Sequence, residues 1–282
     1  SLHLRQGDIY GLIGRNGAGK TTLLKLLSGL AAPTAGDFTL FGATGRHARA
    51  YLSRVGTLIE APGIYPNLSA AENLKLKCLA LGVRRRNAVS DLLDTVGLGS
   101  TGRKPVRHFS LGMKQRLGIA LALVGDPDLL ILDEPINGLD PEGIVEFRNI
   151  LLELNRQRET TILISSHILS ELSNIATHYG FLDGGRMLEQ VSAARLREKC
   201  RACLQLTVDD AARAALVLEQ ELGIRDYEVL PGNLLRLYDR LDRPQTVTAA
   251  LMGAGVALIG AENKNANLED YFLGLIGGVR HG

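Results

Sequence analysis

No uninterrupted apolar run in this sequence reaches the ~20 residues that a helix needs to cross a bilayer. The best stretch, Ala249 to Gly260, is short and broken by glycine. Tryptophan is absent, and cysteine occurs three times in 282 residues with no secretory signal ahead of it. That excludes a disulfide-stapled secreted fold and predicts a chain kept in the reducing cytoplasm. Cys200 and Cys203 form a C-x-x-C, but no second pair and no nearby histidine completes a metal site, so the pair reads as incidental. A large excess of either charge is also lacking. The formal net charge of +2 leaves no basic field of the kind nucleic acid requires. Arg84 to Arg86, the one dense basic run, reads as a solvated helix end. The chain opens at Ser1 and not at methionine, which predicts a natural N-terminus further upstream.

Apolar residues make up 45% of the chain, enough for a core, and the length favours one large domain with a smaller one. Ile9 to Ile13 is a short apolar run, followed by a glycine-rich loop and a helix from about Gly19 to Leu30. "VGTLIE" reads as a strand ending at Glu60. From Ser69 to Leu123 the pattern is helical, with breaks at Gly82, at Gly97 to Gly99 and at Lys104-Pro105. "DLLILDEP" and "TTILISSH" are aliphatic runs of the kind that buried parallel strands carry. "YGFLDGGRMLEQ" reads as a hairpin around Gly184-Gly185. Strands alternating with helices imply an α/β fold with a largely parallel sheet. After Ala194 the order becomes strand, helix, hairpin, helix, strand, helix. Its β-α-β-β-α-β start is the ferredoxin-like order, so residues 195–282 are expected to form a small α+β accessory domain.

The chemistry concentrates in a few places. Gly14, Arg15, Asn16, Gly17, Ala18, Gly19, Lys20 and Thr21 fit G-x-x-x-x-G-K-[ST], with Thr22 following. Such a loop curls so that successive N–H groups face phosphate oxygens, the lysine reaches the β- and γ-phosphates, and the hydroxyl ligates Mg²⁺. Asp133 ends a buried strand, where an acid is costly unless it faces a cavity or a cation, so it is a candidate metal holder. Glu134, beside it, is a candidate general base for an attacking water. His167 ends the next buried strand, where an imidazole reaches the γ-phosphate or that water. In "HFSLGMKQRLGIA", Ser110 and Gly112 open a second helix suited to an anion.

Taken together, these residues resemble the ABC-transporter ATPase family over about residues 1–190. "GRNGAGKTT" stands as its Walker A motif, "LLILDEP" as its Walker B, "NGLD" (Asn137 to Asp140) as its D-loop and His167 as its switch histidine. "FSLGM" stands where the family carries LSGGQ, with Leu111 for the first glycine and Met113 for the glutamine. Glu60 takes the place of the Q-loop glutamine, and "LIEAPGIYPNLSAAENL" looks like the bacitracin-resistance and lantibiotic-immunity ATPases. The tail "NLEDYFLGLIGG" is also similar to that subgroup. There Asn267 reads as a helix cap with Asp270 at its third position, and Tyr271, Phe272 and Leu275 read as the apolar face.

The resemblance implies a P-loop ABC cassette over residues 1–194: a RecA-like core with an inserted helical subdomain at about 69–123. The strand carrying the adenine-stacking aromatic residue falls upstream of Ser1, and Tyr10 is expected in the core. The implied activity is ATP hydrolysis with Mg²⁺ held by Thr21, Asp133 and Glu60, Glu134, His167 and Lys20 acting in catalysis. Partners would be a second ATPase subunit, identical or different, docked head to tail so that Ser110, Gly112 and Asp140 complete its site. A separate integral-membrane permease would dock at the groove of residues 60–72, placing the chain on the inner face of the cell membrane. The cargo implied is a peptide antibiotic. Alternatives are a drug, lipid or cation exporter, or a soluble non-transport ABC protein, though such proteins usually carry two cassettes. A P-loop metabolite kinase has no use for Ser110 to Gly112 or for His167.

Overall fold

Six strands form the main sheet, in the order Val55–Leu58, Leu129–Asp133, Thr161–Ser166, Ile9–Gly14, His178–Asp183, Arg186–Ser192. The first five run parallel and the last is antiparallel. The computed structural model describes residues 1–264 and 268–279, with backbone alone at residues 46, 269, 270 and 277–279. Its chain packs as two units, Ser1–Ala193 and Ala194–Gly282.

Ile9–Gly14, Leu129–Asp133 and Thr161–Ser166 are buried at every position, so their aliphatic residues run without alternation. Their parallel register sets Asp133 beside Ser165 and Ser165 beside Leu12. The loop after Gly14, the acids after Leu132 and the residues after Ser166 therefore open on one edge, the carboxyl edge where α/β sheets hold ligands. Leu12, Leu24, Ile131 and Leu163 form part of the core beneath them. Tyr10 is in that core too, 1% exposed, with its hydroxyl donating to Gln190 Oε1 at 3.0 Å. Burial, and then nearby Asp8, push the Tyr10 phenol well above its ordinary pKa. The hairpin between His178–Asp183 and Arg186–Ser192 turns on Gly184 and Gly185, both at positive φ, as a two-residue turn requires.

The helical region consists of Ala70–Ala80, Ala88–Thr95 and Leu111–Ala122, with short 3₁₀ turns at Gly99–Thr101 and Val106–His108. The breaks fall at the glycines and proline that predicted them. Ser69 and Glu72 form a capping box at the first of these helices. The Ser69 backbone N–H, and then its hydroxyl, hold the Glu72 carboxyl below the usual range. Two expectations shift. Arg84 to Arg86 lie in the turn ahead of Ala88–Thr95 and not at a helix end, with Arg85 paired to Asp91 and Asp126 at 3.5 Å each. The strand expected to reach Glu60 stops at Leu58, because Glu60 turns left-handed at φ 62°.

The second unit has a four-stranded antiparallel sheet, in the order Tyr227–Leu230, Leu234–Leu237, Cys203–Val208, Leu258–Lys264. Helices Ala211–Gln220 and Pro244–Gly253 pack on one face around Leu206, Leu218, Leu235, Leu237 and Leu251. This is the β-α-β-β-α-β arrangement with its first and third strands at the centre. A last helix spans Leu268–Val279, with Phe272 and Ile276 buried and Tyr271 and Leu275 half-buried. The proposed cap at Asn267, and the Asp270 side chain, lie outside the described residues.

Gly56 is where this fold leaves least room. A Cβ there would lie 2.2 Å from the Ala122 carbonyl oxygen, backbone that cannot swing away, and 2.8 Å from the Leu130 side chain. Gly56→Ala is expected to destabilise the chain by about 1–3 kcal/mol. Thermal unfolding followed by circular dichroism checks this, and an unchanged Tm would contradict the packing.

Candidate active site

Gly14 ends its strand against Leu182 of the neighbouring strand. A Cβ at Gly14 would sit 2.6 Å from the Leu182 carbonyl oxygen, so the chain can leave the sheet here only as glycine. Gly17 and Gly19 then take φ of 80° and 103°, curling the loop into the helix Lys20–Leu27. The Gly185 N–H fastens the loop by donating to the Ala18 carbonyl at 2.9 Å. Arg15, Asn16, Gly17 and Thr22 stay exposed, while Ala18 and Lys20 are buried.

Lys20 is 5% exposed, and all three of its N–H donors have partners. Its Nζ donates to the Gly14 carbonyl at 2.7 Å and the Arg15 carbonyl at 3.3 Å, and pairs with Glu134 Oε1 at 2.9 Å. The other oxygen of Glu134 bonds His167 Nδ1. Glu134 reaches both because its backbone turns left-handed, at φ 45°. An ideal strand would send adjacent Asp133 and Glu134 to opposite faces. The turn brings both acids to one edge, at a backbone cost of about 1–3 kcal/mol that is met at functional sites.

Asp133 is 7% exposed, and its two oxygens accept from the Thr21 hydroxyl at 2.7 Å and the Ser165 hydroxyl at 2.6 Å. No ion pair joins Asp133 among the described residues. A buried carboxylate held only by neutral hydroxyls is a net negative charge seeking a cation. With Thr21 beside it, the donors are hard oxygens, which suits Mg²⁺ completed by water and substrate phosphates. Ser165 is the residue that motif reading passes over. Its hydroxyl accepts from the Glu134 N–H at 2.9 Å while donating to Asp133, so one side chain fixes both acids. Its sequence signal is a hydroxyl in a buried aliphatic strand, which must find partners there.

Glu60 is not brought to this cluster. It is 64% exposed and its carboxylate pairs with Lys25 Nζ at 2.5 Å, one helical turn beyond Thr21. Neither Thr21 nor Asp133 is among its described contacts.

Ser110 and Gly112 open the helix Leu111–Ala122, with the Ser110 hydroxyl accepting from the Met113 N–H at 3.2 Å. Ser110 is exposed, and no described hydrogen bond or ion pair links it or Gly112 to residues 14–22. The neighbour of this helix start is the turn at Asn137 to Asp140. A Cβ on Gly138 would lie 3.1 Å from Leu111 Cδ2, and one on Gly112 would lie 3.7 Å from Leu139 Cδ2. Asp140 is exposed and caps the helix Pro141–Arg158, accepting from the Gly143 N–H at 3.1 Å. Arg116 and Glu146 join those two helices at 3.3 Å.

Comparisons with known proteins bear on the family and the fold. The sequence model described as "ABC transporter" matches residues 1–137. A bacitracin transport ATP-binding protein of Bacillus licheniformis is 42% identical over 99% of this chain and 91% of that protein. A lantibiotic transport ATP-binding protein of Streptococcus pyogenes is 47% identical over 67% of this chain and 80% of that one. Among solved structures, one from Clostridium perfringens, part of an ABC transporter complex, aligns with a TM-score of 0.63 at 23% identity. It covers 78% of this chain and 87% of that one. A dimeric ATP-binding cassette holding ADP and Pi aligns at 0.61 and 21%, covering 68% and 88%. At these identities the two structures speak for the fold.

Ser165→Ala should leave the fold intact and free both acids from their shared hydroxyl. The expected result is a fall in turnover of about tenfold or more, since that corresponds to only about 1.4 kcal/mol in the barrier. Steady-state phosphate release checks it, with binding of a fluorescent nucleotide expected to change much less. Equal losses in binding and turnover would make Ser165 a structural residue only.

Proposed function

This chain belongs to the ABC transporter family of ATP-binding proteins, and we propose that it powers an exporter of peptide antibiotics through a separate integral-membrane permease. ATP binding and hydrolysis follow from the family membership. The finer reading is carried by the cluster of Lys20, Thr21, Asp133, Glu134 and His167 in a chain similar to bacitracin and lantibiotic transport ATP-binding proteins.

The roles follow from chemistry. N–H groups of residues 14–19 and the Lys20 ammonium take the β- and γ-phosphates. Lys20 exchanges its bond with Glu134 for phosphate oxygens, which frees that carboxylate. Glu134 then accepts a proton as the water oxygen bonds the γ-phosphorus, the bond to the β-phosphate oxygen breaks, and ADP leaves with phosphate. A base of this kind is worth about 10²–10⁴-fold. His167 holds the freed carboxylate and faces the same water. Thr21 and Asp133 would hold Mg²⁺, which would supply charge neutralisation for the phosphates. Glu60, turned to Lys25, is proposed to approach the metal only if that exposed pair opens.

Ser110, Gly112 and Asp140 are directed to a second subunit, identical or different. Each helix start contributes a hydroxyl, backbone N–H groups and a helix dipole worth about 0.3–2 kcal/mol to the partner's γ-phosphate. The permease is assigned to a groove of about 570 Å³ whose walls include Leu58, Pro62, Tyr65, Leu76 and Leu81. Asn73, 2% exposed, pins its rim: its amide donates to the Tyr65 and Ser69 carbonyls and its Oδ1 accepts from the Tyr65 N–H. Tyr65 and Leu76 are thereby left 61% and 43% exposed. Docking there would hold the chain at the inner face of the cell membrane; among the described residues no helix is long and apolar enough to cross a membrane.

Two substitutions separate the activities. Lys20→Ala is expected to lower ATP turnover by about 10²–10³-fold or more, the usual cost of removing a charge-stabilising donor. Leu76→Glu is expected to keep the turnover of the purified chain and to abolish its recovery with a permease from detergent-solubilised membranes. Recovery with ribosomes in place of a membrane protein would overturn the exporter reading.

A further inference from the structure

Residues 69–123 hold ten Lys and Arg against three Asp and Glu. The whole chain holds 32 against 30, which leaves 22 against 27 for everything else. The positive charge of the molecule is therefore gathered in its helical region. It is densest at residues 75–86, KLKCLALGVRRR, a stretch without a single acid. The nucleotide chemistry uses none of these cations.

The helix Ala70–Ala80 buries Ala70, Asn73, Leu74 and Cys78 on one face. Lys75, Leu76 and Leu79 fall on the other, and Leu79 is 68% exposed. Gly82, at φ 69°, closes the helix. Its N–H donates to the Leu79 carbonyl at 3.2 Å, and the Val83 N–H donates to the Cys78 carbonyl at 2.9 Å. The chain then turns into Arg84 to Arg86, three residues past Leu81, which is also exposed. Arg85 spends its charge within the chain, on Asp91 and Asp126. Lys75, Lys77, Arg84 and Arg86 are exposed, and no ion pair or side-chain hydrogen bond is described for any of them.

Exposed cations around exposed leucines suit the boundary of an anionic bilayer, where the cations meet phosphates and the aliphatic groups enter the acyl layer. Nucleic acid would draw on the cations but has no use for Leu79, and the stretch holds no aromatic residue to stack on a base. Leu79 is also not a wall of the groove assigned to the permease, although Leu76 and Leu81 are. A permease seated in that groove lies in the membrane, so the stretch beside the groove would meet the lipid around it.

We propose that residues 75–86 bind the anionic phospholipid surface of the membrane directly, with Lys75, Arg84 and Arg86 on headgroup phosphates and Leu79 in the acyl boundary. The orientation rests on the permease reading. The lipid contact is tested without a permease, so each can fail alone.

The test is sedimentation of the full chain with phosphatidylcholine vesicles, with and without phosphatidylglycerol. Binding is expected only where phosphatidylglycerol is present, and it should weaken as added salt screens the charges. Arg84→Gln combined with Arg86→Gln is expected to weaken it about tenfold or more, and Leu79→Ser about threefold or more. Both variants should keep wild-type ATP turnover in lipid-free solution, which shows that they fold. Arg213→Gln combined with Arg225→Gln removes the same charge from exposed positions of the second unit and should bind as the wild type does. No binding to the anionic vesicles overturns the proposal. So does binding that is indifferent to the Arg84 and Arg86 pair or to Leu79→Ser, and so does an equal loss with the control pair. Loss of permease recovery from detergent-solubilised membranes in the Arg84 and Arg86 variant, with no vesicle binding by the wild type, overturns it in favour of a protein partner.

Discussion

Asp133 is nine-tenths out of water, with hydroxyls and not cations on both of its oxygens. A carboxylate in that position is tolerated only where the surroundings anticipate positive charge, because removing an ion from water costs several kcal/mol. Much of the site answers this demand. Thr21 meets Asp133 because Gly14 and Gly17 let the loop curl and Glu134 turns left-handed, bringing loop and strand end to one edge. Lys20 lies across that edge on Glu134, balancing the second acid but leaving the first to a cation that arrives with substrate. The two acids outnumber Lys20 by one negative charge, so the site is built to take up a metal cation along with the nucleotide, which ties binding to catalysis.

The same logic makes the Ser110 helix start incomplete by itself. It points N–H groups and a hydroxyl outward from an exposed position, with no anion of its own chain among its described contacts. Leu111 beside Gly138 and Arg116 beside Glu146 tie that helix to the segment following the two acids. Under the proposed head-to-tail pairing, movement at one subunit's acids would have a short packed route to the surface offered to the next. The groove at Tyr65 and Leu76 lies on the same helical region, and as the proposed permease site it would give that movement an exit toward a membrane partner.

Much of this was legible in the sequence. The G-x-x-x-x-G-K-T loop, the aliphatic runs ending in acids or histidine, and the glycine and proline breaks between residues 69 and 123 each carry a local physical signal. Tyr10 was readable as core because it sits inside an apolar run. What escaped were facts of register and backbone hand. Ser165 becomes important only because parallel pairing sets it beside Asp133. Glu60 reads as a metal ligand from its motif, yet a left-handed turn two residues past the strand end sends its carboxylate to Lys25.

The central claim is that each active site is finished by the helix start of another subunit. It is tested by mixing two inactive chains in equal amounts, Lys20→Ala and Ser110→Arg, and measuring ATP turnover. In a mixed head-to-tail dimer, the intact phosphate loop of the Ser110→Arg chain meets the intact Ser110 of the Lys20→Ala chain. With random pairing, half the dimers are mixed and each has one sound site, so about a quarter of wild-type turnover is expected. Ser110→Arg alone should still bind ATP. A mixture as inactive as its parts, together with loss of nucleotide binding in Ser110→Arg alone, would contradict the account and place Ser110 in its own subunit's site.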